Sequence, residues 1–187
     1  MNQLFAVIEA FSPWNEQEKV DRVQMMELIK KRPQILTRED SLTHFTASAW
    51  VMNPERDKAL MVYHNIYQAW SWVGGHADGE GDLFSVACRE LAEETGVTDA
   101  LPIQRTPVSL EFIGVQAHEK RGRYVAPHVH LNLTYFFEAA EDVPLRMKAD
   151  ENSGVAWFTP EEALQKSTEP WFVERVYGKL IEKVKRI

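Results

Sequence analysis

Three glutamates stand close together in the segment RELAEETGV, where Glu90 is followed by Glu93 and Glu94. Successive side chains of an α-helix are about 100° apart, so these three carboxylates would lie within an arc of about 100° on one helix face. Like charges at this spacing repel each other by about 0.2–0.5 kcal/mol per pair. A bound cation would offset that repulsion. Because carboxylates are hard oxygen ligands, the expected ion is Mg²⁺ or Mn²⁺ rather than zinc.

The glutamates belong to a longer motif that begins at Gly75 in the segment GGHADGEGDLFSVACRELAEETGV. This segment resembles the Nudix box, G-x5-E-x7-R-E-U-x-E-E-x-G-U, in which U is an aliphatic residue. Every specified position in the second half of the pattern is matched, namely Arg89, Glu90, Leu91, Glu93, Glu94, Gly96 and Val97. At about 6% usage per residue type, the five non-aliphatic matches recur by chance on the order of once per million starting points. The chain departs from the pattern where Gly81 stands in place of the first Glu.

The resemblance implies a metal-dependent hydrolase of a phosphoanhydride bond. The implied substrate is a nucleoside diphosphate linked to another moiety, or a similar small diphosphate, and the implied cofactor is Mg²⁺ or Mn²⁺. The family pattern makes Glu90, Glu93 and Glu94 the metal ligands, with Glu93 and Glu94 essential for catalysis. It adds the backbone carbonyl of Gly74, in a predicted glycine turn, as a further ligand. Arg89 is expected to support catalysis by pairing with a carboxylate of the box.

Gly81 leaves two interpretations open. In the first, a neighbouring acid (Glu80, Asp78 or Asp82) takes over the orienting role of the missing side chain, and the protein is an enzyme. In the second, the site is weakened and the protein is a Nudix-like module that binds or senses a nucleotide. The first is favoured because the helix glutamates are intact. A third activity on this fold, isopentenyl diphosphate isomerase, needs a cysteine in a strand or loop, whereas Cys88 lies inside the predicted helix.

The general base is not specified by the box. Glu151, in the loop KADEN before the last predicted strand, is the first choice for a proton acceptor or an additional metal ligand. Several Nudix enzymes recruit a loop acid of this kind, but its position varies within the family. Glu119 is the competing residue. A loop acid is easily positioned and can move as substrate enters, which suits a proton acceptor.

Two histidines, His128 and His130, are spaced as on a strand and are therefore expected on the same face of it. If that face looked towards the site, the pair would be able to bind a phosphate or a sugar. Otherwise the two residues are ordinary histidines of a sheet, and this second interpretation is favoured.

The spacing of apolar residues and the positions of turn residues predict the helices and strands that position these side chains. Asp82 is placed to cap the box helix, and short strands on both sides of the helix, joined mainly by hairpins, predict an α+β fold. The resemblance implies a Nudix-like mixed β-sheet sandwiched between helices, with the box as a loop-helix-loop metal site. The predicted domains are an N-terminal helical extension packed on the core, residues 1–44, and a Nudix domain with a C-terminal helix, residues 45–187.

The N-terminal extension contains sequence patterns of its own that predict secondary structure. Residues 3–8 are predicted as a short strand or a tucked arm. Asn15 and Glu18 have the spacing of a helix start. Val20, Val23, Met26 and Ile29 then recur at helical spacing, up to the stop at 30–33. These four residues are expected to form the buried face of a helix that packs on the core or contacts a second copy of the chain. A role of this helix in closing over substrate is the less favoured alternative.

The composition limits the partners. With 187 residues and 44% hydrophobic content, the chain is long enough to bury a core. Its net charge of −7 argues against nucleic-acid and anionic-membrane binding, because phosphates call for a basic excess. The single cysteine, Cys88, suits a reducing compartment, and a cytoplasmic location is expected since neither a leader nor a membrane span is visible. The expected partner is a small-molecule diphosphate, and a homodimer is left open.

Overall fold

The computed structural model describes residues 1–120 and 122–187 of the chain. The described residues form two compact units, each assembled from three stretches of sequence. The first unit comprises Met1–Ser48, Gly74–Ala87 and Arg105–Tyr135. The second comprises Ala49–Val73, Cys88–Gln104 and Phe136–Ile187. Each unit has its own buried apolar residues, such as Ile8, Met25 and Leu131 in the first and Leu60, Phe136 and Leu180 in the second.

The helices agree with the predicted ones after the first. They are α1 (Asn2–Ala10), α2 (Glu16–Lys31), α3 (Leu83–Thr95), α4 (Pro160–Lys166), α5 (Pro170–Phe172) and α6 (Gly178–Val184), with a π-helical turn at Val173–Tyr177 between the last two. Residues 3–8 lie in α1, so the prediction of a strand or arm there is wrong. Leu4 and Ile8 are spaced four apart and are both buried, which a helix achieves with one face.

The strands of the chain are β1 (Thr43–Met52), β2 (Ala59–His64), β3 (Ala69–Ser71), β4 (Val73–His76), β5 (Leu101–Pro102), β6 (Ser109–Val115), β7 (His118–Lys120), β8 (Arg123–Val125), β9 (His128–Glu138) and β10 (Asn152–Phe158). The predicted hairpin from β1 to β2 is antiparallel, with Val51 opposite Leu60. The short strands expected on both sides of the box helix are therefore present.

In the first unit, strand pairing places three segments beside one another. β6 and β9 pair antiparallel along their whole common length, with Ser109 opposite Thr134. The start of β9 lies beside the start of β1, since the N–H of Val129 donates to the carbonyl of Leu42. The end of β4 lies on β1 too, where the N–H of Ala77 donates to the carbonyl of Phe45 at 3.0 Å.

In the second unit, β2 pairs antiparallel with β3 and β10. At the far end of β9, the N–H of Ala139 donates to the carbonyl of Met52. Because this bond joins the ends of β1 and β9, and the bond at Leu42 joins their starts, these two strands run parallel while the others are antiparallel. The predicted α+β class with a mixed sheet is therefore confirmed.

Helix α2 buries a mixed face instead of the predicted apolar one: Ile29 is buried as expected, next to Met25, but Glu18 and Asp21 are buried as well. Its Asn15 cap is confirmed, because the Asn15 side chain accepts from the N–H of Glu18 at 3.0 Å. Val20 and Val23 are 44% and 50% exposed, however, whereas Glu18 is fully buried. Glu18 accepts from the hydroxyl of Ser109 on β6 at 2.7 Å. The helix thus presents hydrogen-bond acceptors to β6. The spacing of apolar residues does not reveal this contact.

We expect Glu18→Ala to lower the free energy of unfolding by about 2–4 kcal/mol, because one buried and one partly buried donor would lose their acceptor. These donors are the Ser109 hydroxyl and the N–H of Trp14, which is 2.8 Å from the second carboxylate oxygen. Urea unfolding measures the change. Glu16→Ala on the same helix is the control, because the Glu16 side chain is 81% exposed. Equal stability of the two variants would contradict the structural role of Glu18.

The N-terminal residues 1–44 contain α1 and α2, and the boundary at residue 45 stays a prediction. Within the part of the chain that the structure describes, no helix combines the length and the apolar character needed to cross a membrane.

Candidate active site

The box helix begins as its sequence predicts. Asp82 caps α3: one carboxylate oxygen accepts from the N–H of Phe84 at 3.2 Å, and the other accepts from the hydroxyl of Ser85 at 2.7 Å. The capping side chain satisfies N–H groups of the first turn that have no partner inside the helix. The start of the helix is therefore fixed, and with it the direction in which the later glutamates point.

Three carboxylates come together in the second unit. Glu90 and Glu94 lie one turn apart on α3, and Glu151 lies in the loop before β10. One oxygen from each residue can be chosen so that all three lie within 4.8 Å of one another. Glu90 is 7% exposed and Glu94 is 3% exposed. Burial raises the pKa of Glu90, because removal from water disfavours its charged form. We name Glu90, Glu94 and Glu151 the carboxylate cluster.

Lys148 lies beside the cluster and joins it to Glu93. Its ammonium nitrogen is 2.8 Å from an oxygen of Glu93 and 3.0 Å from an oxygen of Glu151. Partial burial by itself lowers the pKa of Lys148, but the hydrogen bonds to Glu93 and Glu151 outweigh it and hold the pKa above its usual range. The lysine is therefore charged at neutral pH. Glu93, with its side chain 45% exposed, is held by Lys148 at the edge of the cluster.

Arg89 pairs with carboxylates of the box. Its guanidinium lies 2.9 Å from an oxygen of Glu90 and 4.0 Å from an oxygen of Glu93. The expected pairing with a box carboxylate is therefore present in the structure. Because Glu90 is nearly buried, this pair is better shielded from solvent than an ordinary surface ion pair.

The loop that carries Glu151 is tied to α3 and to β2. Asn152 donates from its side-chain amide to the carbonyl of Glu94 at 3.1 Å and accepts from the N–H of Lys148 at 3.1 Å. The carbonyl of Glu151 itself accepts from the N–H of Asn65 at 2.9 Å. Neither Lys148 nor Asn152 was expected from the sequence. The only available signal was the spacing of Lys148 and Glu151, which fits many surface ion pairs.

Gly74 lies in β4, not in a turn. A Cβ at this position would come within 2.5 Å of the Ser48 hydroxyl oxygen and 2.7 Å of the Ala47 carbonyl, so the close approach of β4 to β1 demands a glycine. The prediction of a glycine turn here is wrong for that reason. Gly96, by contrast, ends α3 with a φ of +79°. That conformation favours glycine and was expected. The carbonyl of Gly74 as a metal ligand stays a prediction.

The acids around Gly81 already have local contacts. An oxygen of Glu80 accepts from the N–H of Asp82 at 2.8 Å. Asp78 is paired with Arg38 through two contacts of 2.8 and 2.7 Å. At Gly81 itself, an added Cβ would meet no atom within 4 Å. The position therefore accepts a side chain without a steric cost, and a change there tests chemistry rather than packing.

We expect Gly81→Glu to leave turnover nearly unchanged and Glu80→Gln to lower it by about tenfold or more, as for loss of a residue that orients metal ligands. The glutamine keeps a carbonyl oxygen that can accept from the N–H of Asp82, so the variant removes the charge alone. Turnover of both is compared with wild type and with Gly81→Ala. A large gain from Gly81→Glu would instead show a weakened native site and favour nucleotide sensing.

The remaining candidate residues lie apart from these carboxylates in sequence. Glu119 is exposed on β7, in the hairpin with β8, where it stands opposite Tyr124. His128 and His130 share one face of β9, as expected, and their Nε2 atoms are 3.1 Å apart. Two further histidines, His44 and His76, join them in the first unit.

The carboxylate cluster suits a hard divalent cation. Its donors are all oxygens, and two of the three carboxylates are almost completely removed from water. Such a group of like charges is unfavourable without positive charge nearby. Mg²⁺ and Mn²⁺ prefer these ligands. The residues present therefore fit the cofactor that the sequence pattern implies.

Comparison with known proteins agrees with this arrangement. Residues 42–179 match the NUDIX domain family. The matched range covers more than half of the chain and contains the box helix as well as the loop that carries Glu151. Among proteins of curated function, none gives a significant match to this sequence.

Two solved structures illustrate the likeness of the fold. The C. elegans Ap4A hydrolase is 14% identical and superposes with a TM-score of 0.54, over 75% of this chain and 96% of that one. The E. coli dihydroneopterin triphosphate pyrophosphohydrolase is 12% identical with a TM-score of 0.55, over 74% of this chain and 95% of that one. At these identities the likeness concerns the fold alone. The family match over residues 42–179, which include the box helix with its glutamates, shows that this protein belongs to the Nudix family.

Proposed function

We propose that the protein is a Mg²⁺- or Mn²⁺-dependent hydrolase of a phosphoanhydride bond. The proposed substrate is a nucleoside diphosphate linked to another moiety, or a similar small diphosphate. The observation that carries the proposal is the carboxylate cluster, in which Glu90 and Glu94 of α3 meet Glu151 of a separate loop. Packing alone gives no reason to bring three acids together in a nearly buried place.

The metal would be held by Glu90 and Glu94, with Glu93 as the further ligand that the family pattern suggests. A divalent ion supplies positive charge that offsets the charge of a diphosphate, which otherwise repels a nucleophile. Arg89 orients the array through its contact with Glu90 at 2.9 Å. Because that carboxylate is nearly buried, the guanidinium limits the directions in which its oxygens can turn.

Glu151 would accept the proton of the attacking water. As the water oxygen forms its bond to phosphorus, the bond between that phosphorus and the bridging oxygen breaks, and the water proton passes to the carboxylate. Lys148 supports this role, because its ammonium group, 3.0 Å from Glu151, holds that carboxylate at the cluster. The same lysine restrains Glu93, so one cation couples the loop to the helix.

A substrate panel with added metal tests the proposal. It contains dinucleotides, among them the substrate type in the name of the C. elegans relative, together with nucleotide sugars and nucleoside triphosphates. Each compound is assayed with Mg²⁺ and with Mn²⁺. Release of a nucleoside monophosphate from one class, abolished by a chelator, is the expected result. Absence of metal-dependent turnover across the panel would argue against hydrolysis.

A nucleotide-binding or sensing function is the second candidate, and it is motivated by Gly81. The glycine removes a carboxylate that the family pattern supplies, and the space around it is open. Tight binding of a nucleotide without turnover, measured by calorimetry on the same panel, would support this alternative. A homodimer and a cytoplasmic location stay predictions that sedimentation and cell fractionation can test.

A further inference from the structure

Three histidine rings of the first unit surround one point. The ring centroids of His44, His76 and His130 are 4.9–5.1 Å apart in all three pairs. One nitrogen from each ring can be chosen so that the three lie within 4.8 Å of one another. We name these residues the histidine cluster. It shares no residue with the carboxylate cluster and has no place in the box pattern.

Strand pairing brings the three rings together. His44 is the second residue of β1, His76 is the last residue of β4, and His130 is the third residue of β9. The bond from Val129 to Leu42 sets β9 beside the start of β1, and the bond at Ala77 sets the end of β4 on the same strand. The cluster thus joins three strands, one of which leads directly into the box loop.

His44 is prepared as a ligand. Its Nδ1 lies 3.0 Å from the carbonyl of Asp40, which has only lone pairs, so Nδ1 carries the proton and Nε2 carries the lone pair. The side chain is nearly buried, and among the residues that the structure describes no group hydrogen-bonds Nε2. A buried acceptor without a partner is costly and needs an explanation. Donation of the other ring N–H to a backbone carbonyl is also the usual support of a metal-binding histidine.

His130 is arranged in a similar way through His128. The Nδ1 of His128 lies 2.9 Å from the carbonyl of Ala126 and therefore carries the proton of that ring. Its Nε2 consequently accepts from the Nε2–H of His130 at 3.1 Å, which leaves the lone pair of His130 on Nδ1.

We propose that His44, His76 and His130 bind a Zn²⁺ ion, with the fourth position taken by water. Zn–N bonds are about 2.0–2.1 Å long, and tetrahedral ligation would place the ring centroids about 5.2 Å apart. The observed centroid distances are close to that value. Imidazoles without a carboxylate favour zinc over Mg²⁺.

The local charges permit a cation at this place. Arg38, whose charge acts on the His76 ring, is engaged by both oxygens of Asp78 at 2.8 and 2.7 Å. Its charge is therefore largely offset by that carboxylate. A bound ion would link β1, β4 and β9, and it would stabilise the folded state because the unfolded chain offers no such preformed site.

Metal binding by the full-length protein tests this proposal without any substrate. The protein is stripped with a chelator and titrated with Zn²⁺ in excess Mg²⁺, and the bound metal is counted by mass spectrometry. We expect one Zn²⁺ per chain and a rise in Tm of about 5–10 °C at a hundred times Kd. His76→Gln and His130→Gln should each weaken binding by about a hundredfold or more, since each removes a ligand.

Two controls separate the clusters. His64→Gln changes the one histidine that lies in the second unit, and Glu94→Gln changes the carboxylate cluster; both should keep the Zn²⁺ affinity of the wild type. X-ray absorption of the Zn²⁺-loaded wild type should show imidazole ligands, which decides the question even if a histidine variant fails to fold. Equal affinity in wild type and His130→Gln, loss of the ion in Glu94→Gln, or an all-oxygen spectrum would overturn the proposal. None of these outcomes depends on whether the protein hydrolyses a diphosphate.

Discussion

Glu94→Gln is expected to lower turnover by about two to three orders of magnitude while leaving the fold intact. Glu94 is 3% exposed and supplies one of three oxygens that lie within 4.8 Å of one another. Glutamine has nearly the same shape, so the change removes a negative charge from the proposed metal site without opening a cavity. The predicted loss is therefore one of metal affinity and of catalysis, not of packing.

The measurement is kcat on a validated substrate over a range of Mg²⁺ and Mn²⁺ concentrations. In metal-free protein the Tm of the variant should equal or exceed that of the wild type, because one of the crowded like charges is gone. Glu182→Gln is the control, since Glu182 is an exposed acid paired with Lys185. Wild-type turnover in Glu94→Gln would refute the carboxylate cluster as the metal site.

Glu151→Gln is expected to lower kcat by about a hundredfold or more and to leave KM close to the wild-type value, as for loss of a general base. The reason is the position of the loop: Glu151 reaches the carboxylate cluster, while Asn152 holds the backbone beside it through the carbonyl of Glu94. Because glutamine keeps the length of the side chain, Tm should change little.

Glu119→Gln is the matched control for this prediction. Glu119 lies on the exposed β7–β8 hairpin of the first unit, and a change there should leave kcat nearly unaltered. If Glu119→Gln is the crippling change and Glu151→Gln is nearly silent, the base comes from that hairpin and the assignment of Glu151 is wrong. A Lys148→Met variant tests whether kcat depends on the ammonium group that holds Glu151 and Glu93, because the change removes that group.

The sequence by itself determined the features that depend on neighbours along the chain. The box pattern identified the family, and the helical spacing placed Glu90 and Glu94 on one face. The caps at Asp82 and Asn15 were readable because a capping side chain bonds to backbone groups two or three residues away. The hairpin from β1 to β2 was equally local, since a short turn joins its strands.

Only the tertiary structure decided which distant residues meet. The sequence favoured Glu151 over Glu119 but fixed neither position, and strand and loop packing brought Glu151 to α3. The requirement for glycine at 74 comes from the approach of another strand rather than from a turn.

Tertiary contacts also decided which face of a helix or strand is buried. Helix α2 turns Glu18 inward, against hydrophobic spacing, because the partner that it meets on β6 is a hydroxyl group. The histidine cluster depends on the register of three strands, and a shift by one residue would turn His130 to the opposite face of β9. Register is set by contacts between segments that are far apart in sequence, which spacing along one segment does not encode.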